Sequence, residues 1–228
     1  MIDNVFEDYE IRAKVIEKEL GVDEFLLKDC KVLIVAGDNA CGKSLFRRFL
    51  SGFLGMYYKE KKINAGVVDI SQEARSRSGD ISKCFIYGDE NYESTGQITC
   101  HSILGCFHNI KNNESWDEKV LIIDEPEIGL SEESQLGLAT YIKTELQTCP
   151  AKLRGVVIIT HSRYIVSELK DVEGFKFHYI GEKKYKDAEA WLDRKIEAND
   201  ITLLGKISHD RYTKFRKALE SKKKKKKT

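Results

Sequence analysis

The chain has 228 residues, with 38 Lys and Arg against 37 Asp and Glu, and 41% of its residues are hydrophobic against 33% charged. A chain of this length and balance is expected to bury its apolar surface as one soluble globular domain, or at most a domain with a small appendage, and it holds no apolar run near the ~20 residues that a membrane span requires. The near-zero charge is divided: six lysines form the run Lys222 to Lys227, and without them 32 basic side chains face 37 acidic ones.

The N-terminus, Met-Ile-Asp-Asn-Val-Phe-Glu-Asp, is acidic where a signal peptide is basic and then apolar. Six cysteines (Cys30, Cys41, Cys84, Cys100, Cys106, Cys149) are spread along the chain without a C-x-x-C pair, a usage that predicts reduced thiols and a cytoplasmic protein. Residues 5 to 20 space Val5, Phe6, Tyr9, Ile11, Val15, Ile16 and Leu20 as an amphipathic helix. From there short apolar runs predict strands at Lys31 to Ala36, Ala65 to Ile70, Lys83 to Tyr87, Val120 to Ile123, Gly155 to Thr160 and Phe175 to Ile180. Helix-length segments lie between most of them, at Lys43 to Lys59, Gln97 to Ile110, Ser131 to Gln147 and Arg163 to Lys170. Uniformly apolar strands such as Val32-Leu33-Ile34-Val35 and Val156-Val157-Ile158-Ile159 imply burial on both faces, as in a parallel sheet covered by helices. The expectation is an α/β fold. Toward the C-terminus, Ala188, Trp191, Leu192 and Ile196 predict one helix and Tyr212, Phe215 and Leu219 another, with Ser208 as its N-cap. Beyond Ser221 nothing apolar remains, so self-repulsion predicts a disordered tail.

Gly37-Asp38-Asn39-Ala40-Cys41-Gly42-Lys43-Ser44 matches G-x-x-x-x-G-K-[ST] between a strand and a helix. In such a loop the glycines let backbone N–H groups close on phosphate oxygens, Lys43 reaches the β and γ phosphates, and Ser44 ligates Mg²⁺. Val120 to Ile123 then runs into Asp124-Glu125-Pro126-Glu127. Carboxylates ending a buried strand need a partner, which a phosphate-bound Mg²⁺ supplies to Asp124, while Glu125 is placed to orient or deprotonate an attacking water. The strand Val156 to Thr160 ends at His161, where α/β sheets place ligands, so His161 is a candidate γ-phosphate contact.

In this order the motifs resemble the ABC-class ATPases, a P-loop NTPase family, over residues 25 to 180. The matching positions also include Gln72 at the end of Val67-Val68-Asp69-Ile70-Ser71, the Ser94-Thr95-Gly96-Gln97 tetrapeptide, and Ile128-Gly129-Leu130-Ser131 after the acidic strand. The resemblance implies a mostly parallel sheet flanked by helices, with Gly37, Asp38, Asn39, Ala40, Cys41, Gly42, Lys43, Ser44 and Leu45 binding ATP. It implies Ser44, Gln72 and Asp124 around Mg²⁺, and Lys43, Glu125 and His161 in catalysis. Ser94, Thr95, Gly96 and Gln97 would be the signature, with Thr95 where that family has glycine, touching the γ phosphate held by a second subunit, or simply a capped helix start with Ser94 or Thr95 as N-cap; the 128 to 131 turn would cross the interface. An ATP-dependent homodimer follows from such composite sites.

D-E-P-E and the asparagine and alanine of the phosphate loop look more like the RecF, SMC and OLD-related branch than like transporter subunits. Only 21 residues separate Gln72 from Ser94, which implies a reduced helical subdomain with no coiled-coil arm. The implied function is an ATPase head without membrane insertion that controls a partner protein or nucleic acid, in DNA maintenance or phage defence. A transporter subunit and a nucleotide-gated clamp with little turnover stand as alternatives. The expected organisation is one ATPase domain over residues 1 to 221, made of an N-terminal helical segment (1 to 24), the core (25 to 180) and C-terminal helices (181 to 221), followed by the 222 to 228 tail. Phe25 or Tyr9 could stack on the base or belong to the core. Cys100, His101, Cys106 and His108 have a zinc-like spacing, but a helix from Gln97 would divide them between two sides. Arg194, Lys195, Arg211, Lys214, Arg216 and Lys217 could form a nucleic-acid face with the tail, or simply a solvated helix face.

Overall fold

The computed structural model describes residues 30–71, 93–112, 115–148, 152–181, 185–198 and 200–225. The helix expected over residues 5–20, the strand expected over 83–87, and Tyr9, Phe25, Gln72, Cys84 and Cys149 lie outside these residues.

Five strands form one sheet: β1 (Val32–Gly37), β2 (Ala65–Ile70), β3 (Glu118–Asp124), β4 (Leu153–Ile159) and β5 (Phe175–Ile180). Their spatial order is β2-β3-β4-β1-β5 and every neighbouring pair is parallel. Parallel pairing requires a crossover between successive strands, and helices supply it. These are α1 (Lys43–Lys61), α2 (Thr95–Asn112), α3 (Glu132–Thr148) and α4 (Arg163–Leu169).

The handedness of crossovers explains which face each helix covers. The step from β1 to β2 travels across the sheet past β4 and β3, whereas the next three steps travel the opposite way. Right-handed crossovers therefore put α1 on one face and α2, α3 and α4 on the other. On the first face Phe46, Leu50, Leu54 and Tyr58 pack on Leu33, Val35, Val120, Ile122, Val157 and Ile159. On the second, Ile103, Phe107, Ile110, Ile142 and Val166 pack on Val32, Ile34, Leu121, Ile123, Val156 and Ile158. Alternate residues of one strand thus serve two cores, which is why β1 reads as continuous apolar sequence. Each fully buried Val, Leu or Ile contributes roughly 1.5–3 kcal/mol of transfer free energy. Lys119, fully buried at the start of β3, donates from Nζ to Ile110 O at 2.6 Å and lies 5.3 Å from the Trp116 ring centroid. A cation meets the last turn of α2 there, where the helix dipole favours it.

The C-terminal region departs from expectation. α5 (Ala188–Leu192) buries Ala188 and Trp191 but stops before Ile196, which is 68% exposed. Arg194 ends it by folding back, with its guanidinium 3.6 Å from the Trp191 ring centroid and Nη1 donating to Trp191 O. α6 (Leu204–Lys225) begins earlier than the predicted cap at Ser208. Asp200 caps a 3₁₀ turn, Ile201–Leu203, that leads directly into it, so Ser208 is an interior residue. α6 also runs through Lys225 rather than ending at Ser221, because lysine is a good helix former and adding a turn to an existing helix is far easier than starting one. No described helix is long and apolar enough to cross a membrane.

Candidate functional site

The register of the sheet brings β1, β4 and β3 to one edge. Val35 pairs with Ile159, and Asp124 also pairs with Ile159. Past the strands the backbone remains stitched, with Thr160 N–H donating to Val35 O at 3.0 Å and Glu125 N–H donating to Ile159 O at 2.8 Å. The Gly37–Ser44 loop, the acidic turn and His161 therefore emerge side by side, at the carboxyl ends of parallel strands.

The loop after β1 passes through left-handed conformations at Ala40 (φ 59°) and Gly42 (φ 104°) before α1 begins. Gly37 must lack a side chain, since a Cβ there would lie 2.3 Å from Ile180 O and 2.6 Å from Cys41 Sγ. Lys43, 7% exposed, extends its ammonium across the loop and donates to Gly37 O at 3.3 Å and Asp38 O at 3.0 Å. No side chain caps the N-terminus of α1 and its first turn holds no acid, so the amides and the positive dipole end face the loop. Ser44 is exposed in that first turn and Leu45 is half-buried behind it, while Asn39 is exposed at the tip. Burial raises the Cys41 thiol above the ordinary range, opposed in part by the positive charges of Lys43 and of Arg211 on α6.

Asp124 closes β3 with its side chain 13% exposed, and Arg47 Nε lies 3.1 Å from its Oδ2. The same guanidinium donates from Nη1 to Asp69 Oδ1 at 2.8 Å and Oδ2 at 2.9 Å. Glu125 has φ 49°, a sparsely populated conformation for a residue with a side chain. His161 Nε2 lies 3.6 Å from Glu125 Oε1. Glu127 turns back instead, accepting from Thr160 Oγ1 at 2.8 Å and His161 N–H at 2.6 Å. Ser162 caps α4 and donates to Gln135 Oε1 at 2.7 Å, and Gln135 Nε2 donates to Leu130 O at 3.0 Å. Arg47, Asp69, Thr160 and Gln135 are thus structural members of the site that sequence spacing did not single out, and Glu127, marked there only as the last residue of D-E-P-E, gains a structural role. Of the four, the charge of Arg47, four residues after Lys43 on a buried helix face, carried a sequence signal. The carboxylate of Asp124 and the hydroxyl of Ser44 are hard oxygen donors of the kind Mg²⁺ takes.

Ser94-Thr95-Gly96-Gln97 opens α2 as a capping box. Ser94 N–H donates to Gln97 Oε1 at 2.8 Å, Ser94 Oγ to the same oxygen at 3.0 Å, and Gln97 N–H to Ser94 Oγ at 3.3 Å. A Cβ on Gly96 would stand 2.3 Å from Gly129 O, so the 128 to 131 turn and this helix start form one junction within the chain. The side chains of Ser94, Thr95 and Gln97 remain exposed.

The four Cys and His positions of α2 are not drawn together: His101 faces Glu93 at 3.2 Å, His108 meets Asn112, and Cys106 is half-buried against the core. A cleft of about 520 Å³ lined by Lys62, Ile63, Asp117, Glu118, Lys152 and Arg154 opens at the opposite edge of the sheet.

No protein-family model matches the chain. No curated protein matches it either. Among solved structures, one of Drosophila ORC bound to AT-rich DNA and Cdc6 is similar over 91% of this chain and 66% of that one, at 10% identity and a TM-score of 0.33. The chain therefore spans about two thirds of that neighbour's length.

Proposed function

We propose that the chain is an ATP-binding and ATP-hydrolysing head of the ABC type, which closes as a homodimer on ATP and thereby controls a partner protein or nucleic acid. The observation that carries the reading is the delivery of the Gly37–Ser44 loop, His161 and Asp124-Glu125 to one sheet edge by the adjacent strands β1, β4 and β3. A triphosphate lying along that edge meets all three in succession.

Loop amides from Gly37 to Leu45 and the Lys43 ammonium bind the phosphates, at the unblocked N-terminus of α1. Ser44, Asp124 and Gln72 would hold Mg²⁺, which supplies neutralisation of phosphate charge when bound. Glu125 orients the attacking water and accepts its proton; the left-handed turn at Glu125 projects the carboxylate beyond the strand end, beside His161. His161, fixed through its backbone N–H by Glu127, contacts the γ phosphate and couples its presence to β4. Across the dimer, Ser94, Thr95, Gly96 and Gln97 offer the start of α2 to the γ phosphate of the partner copy, with Gly96 seated on Gly129 so that the 128 to 131 turn moves with it. The lysines that continue α6 supply positive charge for a nucleic-acid partner.

The test is solution mass with and without Mg-ATP, together with phosphate release. Glu125→Gln should accumulate as an ATP-bound dimer with turnover reduced ~10²-fold or more, the scale of a lost general base. Lys43→Ala should lose both nucleotide binding and dimerisation. A Glu125→Gln protein that stays monomeric at saturating Mg-ATP defeats the homodimer, and unchanged turnover in both variants defeats the ATPase reading.

A further inference from the structure

Arg47 stands one helical turn beyond Lys43 on α1 and is 6% exposed, a buried cation in the layer beneath the phosphate loop. Its guanidinium is shared by two carboxylates. Nη1 donates to both oxygens of Asp69, at 2.8 and 2.9 Å, and Nε approaches Asp124 Oδ2 at 3.1 Å. The sheet explains the convergence. Asp69 pairs in register with Ile122, two residues before Asp124 on β3, and Ile122 packs against α1, so both acids project toward that helix. The side chains of Arg47, Asp69 and Asp124 are only 8%, 21% and 13% exposed, so their charges interact through low dielectric and none is replaced cheaply by water.

Arg47 thus serves two acids at the edge where the ATPase reading places Mg²⁺. The two contacts differ in kind, since Nη1 donates to both oxygens of Asp69, whereas Asp124 meets the guanidinium through Nε. Resting on that reading, we infer that Arg47 is a positioning residue: it fixes the ionised Asp124 carboxylate for the divalent cation, while Asp69 holds the guanidinium back from pairing fully with Asp124. Without Asp69, the guanidinium fork is released to engage both oxygens of Asp124 and competes with Mg²⁺ for them. With lysine at position 47, a point charge can hold only one carboxylate well, and Asp124 loses its fixed orientation.

The experiment uses the full chain and a fluorescent ATP analogue, titrated with Mg²⁺ and compared with the same measurement in EDTA, after thermal unfolding in EDTA has established that each variant is folded. Asp69→Asn should raise the Mg²⁺ midpoint for nucleotide binding ~10-fold, the scale of coupling between neighbours in one ion network. Arg47→Lys should raise it ~3-fold by the same reasoning. A purely structural ion pair would lower the unfolding temperature of both variants and leave the Mg²⁺ midpoint in place. Midpoints within about twofold of wild type in whichever variants fold overturn the inference and leave the ATPase reading standing. Wild-type protein that binds no nucleotide, matched by Lys43→Ala, overturns both.

Discussion

Truncating Glu127 removes the strut between the acidic turn and the end of β4. Its carboxylate accepts from Thr160 Oγ1 at 2.8 Å and from His161 N–H at 2.6 Å, and Thr160 is fully buried. In Glu127→Ala the amide and the hydroxyl proton lose a charged acceptor, although Thr160 Oγ1 still accepts from Ser162 N–H at 2.9 Å. Hydrogen bonds to charged groups contribute ~1.5–3 kcal/mol each. Water reaches the half-buried carboxylate, so the pair together is worth ~3 kcal/mol rather than the full sum. In a chain of this size each kcal/mol moves the midpoint by ~2–4 °C, so Glu127→Ala should unfold ~6–12 °C below wild type. Glu127→Gln keeps a carbonyl oxygen for His161 N–H and offers its amide to Thr160 Oγ1, so its loss should be ~2–4 °C. Circular dichroism melting of both variants, of Thr160→Val and of the combined Glu127→Ala, Thr160→Val protein completes a double-mutant cycle, with a coupling of ~1 kcal/mol expected. A Glu127→Ala midpoint within about 2 °C of wild type would refute the strut, because the buried donors would then have found equal partners elsewhere.

Gly96→Ala should cost ~1–3 kcal/mol by overpacking, because its Cβ would stand 2.3 Å from backbone at Gly129 O; an unchanged urea midpoint would show that the junction gives freely. The Cys41 thiol, raised by burial, should react with a neutral maleimide at pH 7 more slowly than a free cysteine and accelerate as pH rises above the ordinary thiol range. Mg-ATP should slow it further, and reaction at the free-cysteine rate in its absence contradicts the buried loop. Under the proposed nucleic-acid reading, the full chain should bind DNA and deleting Lys222 to Lys227 should weaken that binding and flatten its salt dependence, measured by fluorescence anisotropy across a salt series; affinity that survives the deletion places the contact elsewhere.

Much of the fold is local and was therefore legible. Ala65–Ile70 and Phe175–Ile180 are strands with the predicted boundaries, and β1, β3 and β4 differ from prediction by one or two residues at their ends. Side-chain periodicity and the change from β-branched runs to turn residues decide such elements over a few residues. The turn from Gly37 to Ser44 was legible for a related reason: its residues are eight consecutive positions joining a strand to a helix, so covalent spacing nearly determines its geometry. Composition misled where no periodic face existed to judge by, as in the lysines of α6, and where a side chain ended a helix by turning back, as Arg194 does after Trp191.

What the sequence by itself determined is the set of strand-end groups: the Gly37–Ser44 loop, Asp124 and Glu125, and His161. What only the tertiary structure decided is which of them are neighbours. The order β2-β3-β4-β1-β5 inserts β4 between the Gly37–Ser44 loop and the acids, and no local pattern encodes that insertion. The Arg47 contact with Asp69 spans 22 residues of sequence, and those of Glu127 with Thr160 and His161 span 33 and 34. Such pairs depend on crossover direction and sheet register, which arise when helices bury both faces of a twisted parallel sheet. Local spacing can place a charge at the end of a strand, but its partner is selected by the packing of the whole domain.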